Sequence, residues 1–151
     1  MARSRWLEKA RDACAQREQR LALVLADCRR QLQDGEAKLS ELQHYRMVYQ
    51  RDFNQRVEAG VSAERARTYQ AFLARLDLAL SEQREHLTQL RTQEAEELRK
   101  WRGAARRNEA LERLLERQRQ AAQRRNTQVE QAASDAHAQR AWAMKGARRG
   151  H

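Results

Sequence analysis

No proline occurs anywhere in the 151 residues, and glycine occurs only five times. Repeated strand turns, lids and loop-built active sites draw heavily on those two residues, so neither a sheet protein nor a loop-lined catalytic cleft is expected. Aromatic residues are also scarce: three tryptophans, three tyrosines and two phenylalanines, too little bulk for an ordinary globular core of this length. Charges interrupt every apolar stretch well short of the roughly 20 residues that span a bilayer. The amino terminus is basic (Met1-Ala2-Arg3-Ser4-Arg5-Trp6), but Leu7-Glu8-Lys9-Ala10-Arg11-Asp12 follows instead of an apolar run, so no signal peptide is expected and any membrane connection is peripheral. Only two cysteines are present, Cys14 and Cys28. On one helix their spacing amounts to about 21 Å of rise. Disulfide partners need alpha carbons about 5.5 Å apart, so the pair reads as two small seam residues in a reducing compartment.

What the chain does have is charge and heptads. Lysine and arginine number 31 against 21 acids, a formal charge of +10, and 34% of all residues are charged. Stepping by seven from Leu7 passes Cys14, Leu21, Cys28, Gly35, Leu42 and Tyr49, with Leu25, Leu32, Leu39 and Phe53 at the four-residue offset. A second stripe runs through Leu73, Leu80, Leu87, Glu94, Trp101, Asn108, Leu115, Ala122 and Val129. Its companion row is Tyr69, Leu76, Gln83, Leu90, Glu97, Ala104, Leu111 and Gln118. Seven-residue steps of this kind are the pattern of helices wrapped about each other. Between the stripes, Gly60 can adopt the left-handed conformation that ends a helix, and the Ser62 hydroxyl can cap the next.

These features predict an all-α fold, a long antiparallel two-helix coiled-coil hairpin with unequal arms. The expected organisation is helix 1 over 1–58, a turn over 59–62, the paired part of helix 2 over 63–115, and a basic helical overhang with a disordered carboxy-terminal tail over 116–151. Folding about Gly60 makes facing residue numbers add to about 122, which sets seam against seam. Tyr49 then faces Leu73, Leu42 faces Leu80, Gly35 faces Leu87, Leu21 faces Trp101 and Leu7 faces Leu115. Cys28 opposite Glu94 is the one pairing that makes no sense as core. Basic residues outnumber acids nine to three over 113–151, whereas residues 1–112 carry only +4.

A chemical motif is absent throughout. There is no glycine-rich phosphate loop, no His-Glu-x-x-His sequence and no cysteine pair at ligand spacing. His44, His86, His137 and His151 are scattered, and the adjacent Glu96 and Glu97 read as a solvated helix face. The expectation is a protein with no catalytic residues, no metal, no cofactor and no small-molecule substrate. Arg117, Arg119, Arg124 and Arg125 could attract phosphate. Only Trp142 offers a stacking platform in that region, so nucleic acid is not the expected partner and an acidic protein surface is preferred. All five tyrosines and phenylalanines (Tyr45, Tyr49, Phe53, Tyr69 and Phe72) gather at the hairpin tip. Sealing of the tip, and sealing combined with partner binding, are both consistent with that cluster.

The chain resembles the FliJ family of flagellar type III export proteins. The resemblance rests on Leu42, Tyr45, Tyr49 and Asn54 before the turn and Gly60 within it. Beyond the turn it rests on Tyr69-Gln70, Phe72, Leu76, Ala79, Gln83-Arg84, Leu87-Thr88-Gln89, Trp101-Arg102 and Arg117-Gln118. Members of that family are antiparallel coiled coils similar to the stalk of rotary ATPases. The resemblance implies a non-enzymatic protein in the cytoplasm, peripherally associated with the inner-membrane export apparatus at the flagellar base. Its implied partners are the hexameric export ATPase, the cytoplasmic domain of the membrane export gate, and export chaperones that it helps recycle. The family's gate-contacting stripe maps onto Lys38, Leu42, Tyr45, Tyr49, Phe72, Leu76, Ala79 and Gln83, where Lys38 stands for a usual glutamine and Gln83 for a usual histidine. The implied ATPase contact maps onto Leu7, Arg11, Cys14 and Arg17 of the first helix and Leu114, Arg117, Arg119, Arg124 and Arg125 of the second. A virulence-type secretion stalk and a basic nucleic-acid-binding coil are the alternatives.

Overall fold

The computed structural model describes residues 2–150 and contains two helices, α1 (Ala2–Ala59) and α2 (Ala63–Arg149), with no strand among the described residues. The chain is an all-α antiparallel hairpin whose arms hold 58 and 87 residues. It turns where the sequence has the means to turn. Gly60 takes φ 93°, a conformation costly for any residue with a Cβ, and its N–H donates to the Val57 carbonyl at 3.2 Å. The first turn of α2 is then capped by the Ser62 Oγ, which accepts from the Arg65 N–H at 3.2 Å. Glu64 adds a carboxylate to the same turn, where the helix dipole favours it.

Contacts divide the chain into two compact units: a tip unit, Arg17–Ala104, and an end unit of residues 2–16 with residues 105–150. The tip unit has a narrow, continuous seam of Leu25, Cys28, Leu73, Leu80, Leu87 and Leu90, all buried. Its facing pairs follow the expected register closely. Phe53 stacks on Tyr69, Gly35 faces Leu87, Arg46 pairs with Asp77 and Arg29 pairs with Glu94, and each pair of numbers adds to 122 or 123. The puzzle of Cys28 opposite Glu94 is resolved by geometry. The Glu94 carboxylate swings out of the seam to Arg29 at 3.3 Å, leaving the thiol buried behind it. Burial pushes the Cys28 thiol up, and the nearby Glu97, Asp27 and Glu94 carboxylates push it further, so it stays a small apolar seam residue.

Gly35 is the tightest point of the tip unit. A Cβ there would lie 2.8 Å from Leu87 Cδ2, and Leu87 is only 1% exposed. The missing side chain also bares the Gly35 carbonyl, which accepts a hydrogen bond from Gln83 Nε2 at 3.0 Å. One glycine therefore admits both a leucine and an amide.

In the end unit, Leu7 and Leu115 are buried, and Arg11 of α1 shares a groove with Glu109, Glu112 and Leu115 of α2. From Ala121 to Arg149 nearly every residue is exposed, yet the chain is helical throughout. Helix α2 thus runs without a break through the span, 116–151, expected to hold the basic overhang and the tail, as far as Arg149. Alanine, arginine and glutamine dominate the segment, all favourable helix formers, and no proline interrupts it. His151 lies outside the described residues.

Candidate functional site

The stripe on Lys38, Leu42, Tyr45 and Tyr49 steps by four, three and four residues along α1, which keeps it on one face. Phe72, Leu76, Ala79 and Gln83 step the same way along α2. Set against each other, Lys38 with Gln83, Leu42 with Ala79, Tyr45 with Leu76 and Tyr49 with Phe72 all add to 121, one less than the seam register. The eight residues are thus two rows along one flank of the tip unit, about 16 Å long at 1.5 Å per residue.

Burial separates them into three grades. Tyr45 is 65% exposed and Phe72 42%, and Lys38 is exposed with them. Leu42, Tyr49, Leu76 and Ala79 are half-buried, forming both the floor of the strip and the edge of the seam. Gln83 is buried, and its amide nitrogen already donates to Gly35, so this residue lies beneath the strip and does not present its amide at the margin.

The aromatic rings hold the strip in place. Tyr49 meets Phe72 at 4.4 Å and Tyr69 at 4.9 Å between ring centroids, while Phe53 stacks on Tyr69 at 5.4 Å. Tyr69 is anchored in turn. Its hydroxyl donates to Asp52 Oδ2 at 2.8 Å, Arg56 pairs with the same carboxylate at 3.3 Å, and the Arg56 guanidinium lies 5.9 Å from the Tyr69 ring centroid. The Tyr69 hydrogen bond, with Arg56 assisting, holds the Asp52 carboxyl below its ordinary range, and the same bond holds the Tyr69 hydroxyl above its own. Asp52 and Arg56 did not figure in the sequence reading. The signal was there: they are four residues apart on α1, and Asp52 adds to 121 with Tyr69.

The residues expected at an ATPase contact are dispersed. Leu7 is buried, Arg11 and Cys14 are half-buried, and Leu114 is 45% exposed, all within the end unit. Arg117, Arg119, Arg124 and Arg125 are exposed in that unit, with Arg119 3.9 Å from Glu116 and Arg125 donating to the Ala121 carbonyl. Arg17 is exposed and belongs to the tip unit. Among the described residues no group of three or more His, Cys, Asp or Glu side chains could hold a metal ion, and no helix is long and apolar enough to cross a membrane.

The tip unit thus carries two rows of residues along one flank, with Tyr45 and Phe72 exposed on it. The profile of the flagellar FliJ protein matches residues 4–147. The chain belongs to the FliJ family. It is 30% identical over 141 residues to the flagellar FliJ protein of Escherichia coli (strain K12), an alignment covering 93% of this chain and 96% of the relative. The flagellar FliJ protein of Salmonella typhi is 30% identical over an equal span, with the same coverage of both chains. No solved structure matches. FliJ membership places the chain in flagellum biogenesis and protein export.

Proposed function

We propose that this FliJ family member is a non-enzymatic coupling protein of the flagellar type III export apparatus. The flank of the tip unit docks on the cytoplasmic domain of the membrane export gate. The end unit engages the hexameric export ATPase, and the protein receives export chaperones after their cargo has left. It works at the cytoplasmic side of the inner membrane, held there by its partners.

The observation that carries this reading is the exposure of Tyr45 and Phe72 above a floor of half-buried apolar residues. Large aromatic side chains lose area to solvent at little entropic cost when a partner covers them, and such residues dominate interface energetics. The floor beneath them is cross-braced by the Tyr49, Phe53 and Tyr69 rings and by the Asp52–Tyr69 hydrogen bond, so the strip is preorganised. The end unit has a different chemistry, suited to electrostatic steering toward an acidic channel, because Arg117, Arg119, Arg124 and Arg125 are exposed there.

Capture of the purified gate domain by the tagged full chain tests the reading. Tyr45→Ala combined with Phe72→Ala is expected to reduce capture by at least about tenfold with helicity retained, and loss of the Phe72–Tyr49 ring contact is expected to lower the melting temperature only slightly. Retained capture by that double variant would defeat the docking surface. An export ATPase rate that does not respond to the added chain at low salt would defeat the coupling.

A further inference from the structure

The other flank of the tip unit carries a second surface that the gate strip leaves free. In a two-helix coil the positions beside the seam ordinarily bear long polar stems that lie across it. Here two of them are Ala22 and Ala26, one turn apart on α1. Beside them Leu98 and the half-buried Trp101 of α2 line an open groove of about 460 Å³. Arg29, Arg30 and Gln33 also line it, and no carboxylate does. Arg29 is already oriented by Glu94 at 3.3 Å, while both guanidiniums remain exposed. On a helical projection at about 100° per residue, Ala22, Ala26 and Arg29 fall on the side of the seam opposite to Tyr45 and Lys38.

We propose that this groove binds an amphipathic helix of an acidic partner protein, laid along the hairpin as a third strand. Its aliphatic side chains fill the space that Ala22 and Ala26 leave against Trp101, and its carboxylates meet Arg29 and Arg30. A groove lined along α1 from Ala22 to Gln33, with Leu25, Leu98 and Trp101 as its apolar surface, fits a helix face with apolar residues three and four apart. The charge selects its sign. With two arginines and no carboxylate in its lining, the groove favours a helix richer in acids than this chain, whose net charge is +10, so the partner is a separate acidic helix. The inference rests on the coupling role above only in that the chain has partners. Because it uses the opposite flank, the groove and the gate strip can be occupied together.

Trp101 supplies the reporter. In the full chain carrying Trp6→Phe and Trp142→Phe, it is the sole tryptophan. The probe is a synthetic amidated peptide of about four helical turns with leucines along one face and glutamates on both sides of them. Its control is the same peptide with lysine in place of glutamate. The glutamate peptide is expected to change Trp101 emission saturably and to weaken several-fold when salt is raised. Ala22→Gln with Ala26→Gln, which restores the covering stems without altering charge, is expected to lower affinity at least about tenfold. Arg30→Gln is expected to lower it less.

Helicity reports whether each variant is folded. An unchanged emission, equal binding of the lysine peptide, or undiminished binding by the double glutamine variant would overturn the inference, as would a concentration-dependent dimer filling the groove. Gate capture by the double glutamine variant is expected to be normal. Failure of the groove and failure of the gate strip are therefore read in separate assays.

Discussion

The tip unit and the end unit are built from the same two helices under the same heptad rule, yet they are held by different means. The tip unit joins its arms with cross-helix ion pairs (Arg29–Glu94, Arg46–Asp77 and Arg91–Glu36), an aromatic stack, and a leucine that closes on a glycine. In the end unit the ion pairs Arg11–Asp12 and Arg119–Glu116 run along single helices. Its two seam rows carry Asn108 and Gln118, and the Gln118 side-chain oxygen is buried without a hydrogen bond. Past Gln120 the second arm is almost wholly exposed. One region invests its apolar residues in itself, and the other leaves its helix to be covered.

The largest test of this contrast is leucine truncation. Leu87→Ala is expected to cost about 2–5 kcal/mol, because Leu87 has no exposed surface into which the site could relax. Leu115→Ala, although Leu115 is 4% exposed, is expected to lower global stability by less and to speed amide exchange mainly within residues 2–16 and 105–120. Equal losses in urea unfolding followed by helicity would break the comparison.

Gly35→Ala gives a smaller effect of mixed sign. Alanine gains about 1 kcal/mol of helix propensity over glycine, and overpacking against Leu87 costs about 1–3 kcal/mol. A net loss of about 1 kcal/mol is expected, with Gly103→Ala as the sharpening control. A Cβ at Gly103 meets nothing within 4 Å, so that variant is expected to be more stable than the parent.

The smallest effect is on pH dependence. Asp52 has a folded-state pKa below its unfolded value, so its contribution is complete above the ordinary carboxylate range and is lost as pH falls through the lowered folded value. Tyr69 is the mirror case: its contribution is complete below the ordinary phenol range and fades as pH rises through the raised folded value. Asp52→Asn is expected to flatten the acid limb of the melting curve, and an acid limb unchanged in that variant would remove the bracing role.

Much of the tip unit was legible in the sequence because its information is local and periodic. The register followed from heptads and one glycine turn, and Gly35 facing Leu87 followed from the register. Gln83 shows where that reasoning stopped. It belonged both to a seam row and to the margin of a docking stripe, and a linear pattern has no means of choosing between them. The bare carbonyl of Gly35 chose, since it satisfies the buried amide. The Asp52–Arg56–Tyr69 brace was missed because it depends on an angle about the helix as well as on numbering. The groove beside Trp101 was missed because two alanines leave no mark in a hydrophobic pattern, although they decide what a neighbour can reach.

The notch at Gly35 also has a mechanical meaning. Sliding one arm of the tip unit past the other by a heptad would take Leu87 out of the space beside Gly35 and part the Gln83 amide from the Gly35 carbonyl in the same movement. The two strands are pinned like a key in a keyway. Tension or compression applied at the turn reaches the far end of that unit as displacement rather than being dissipated in slippage.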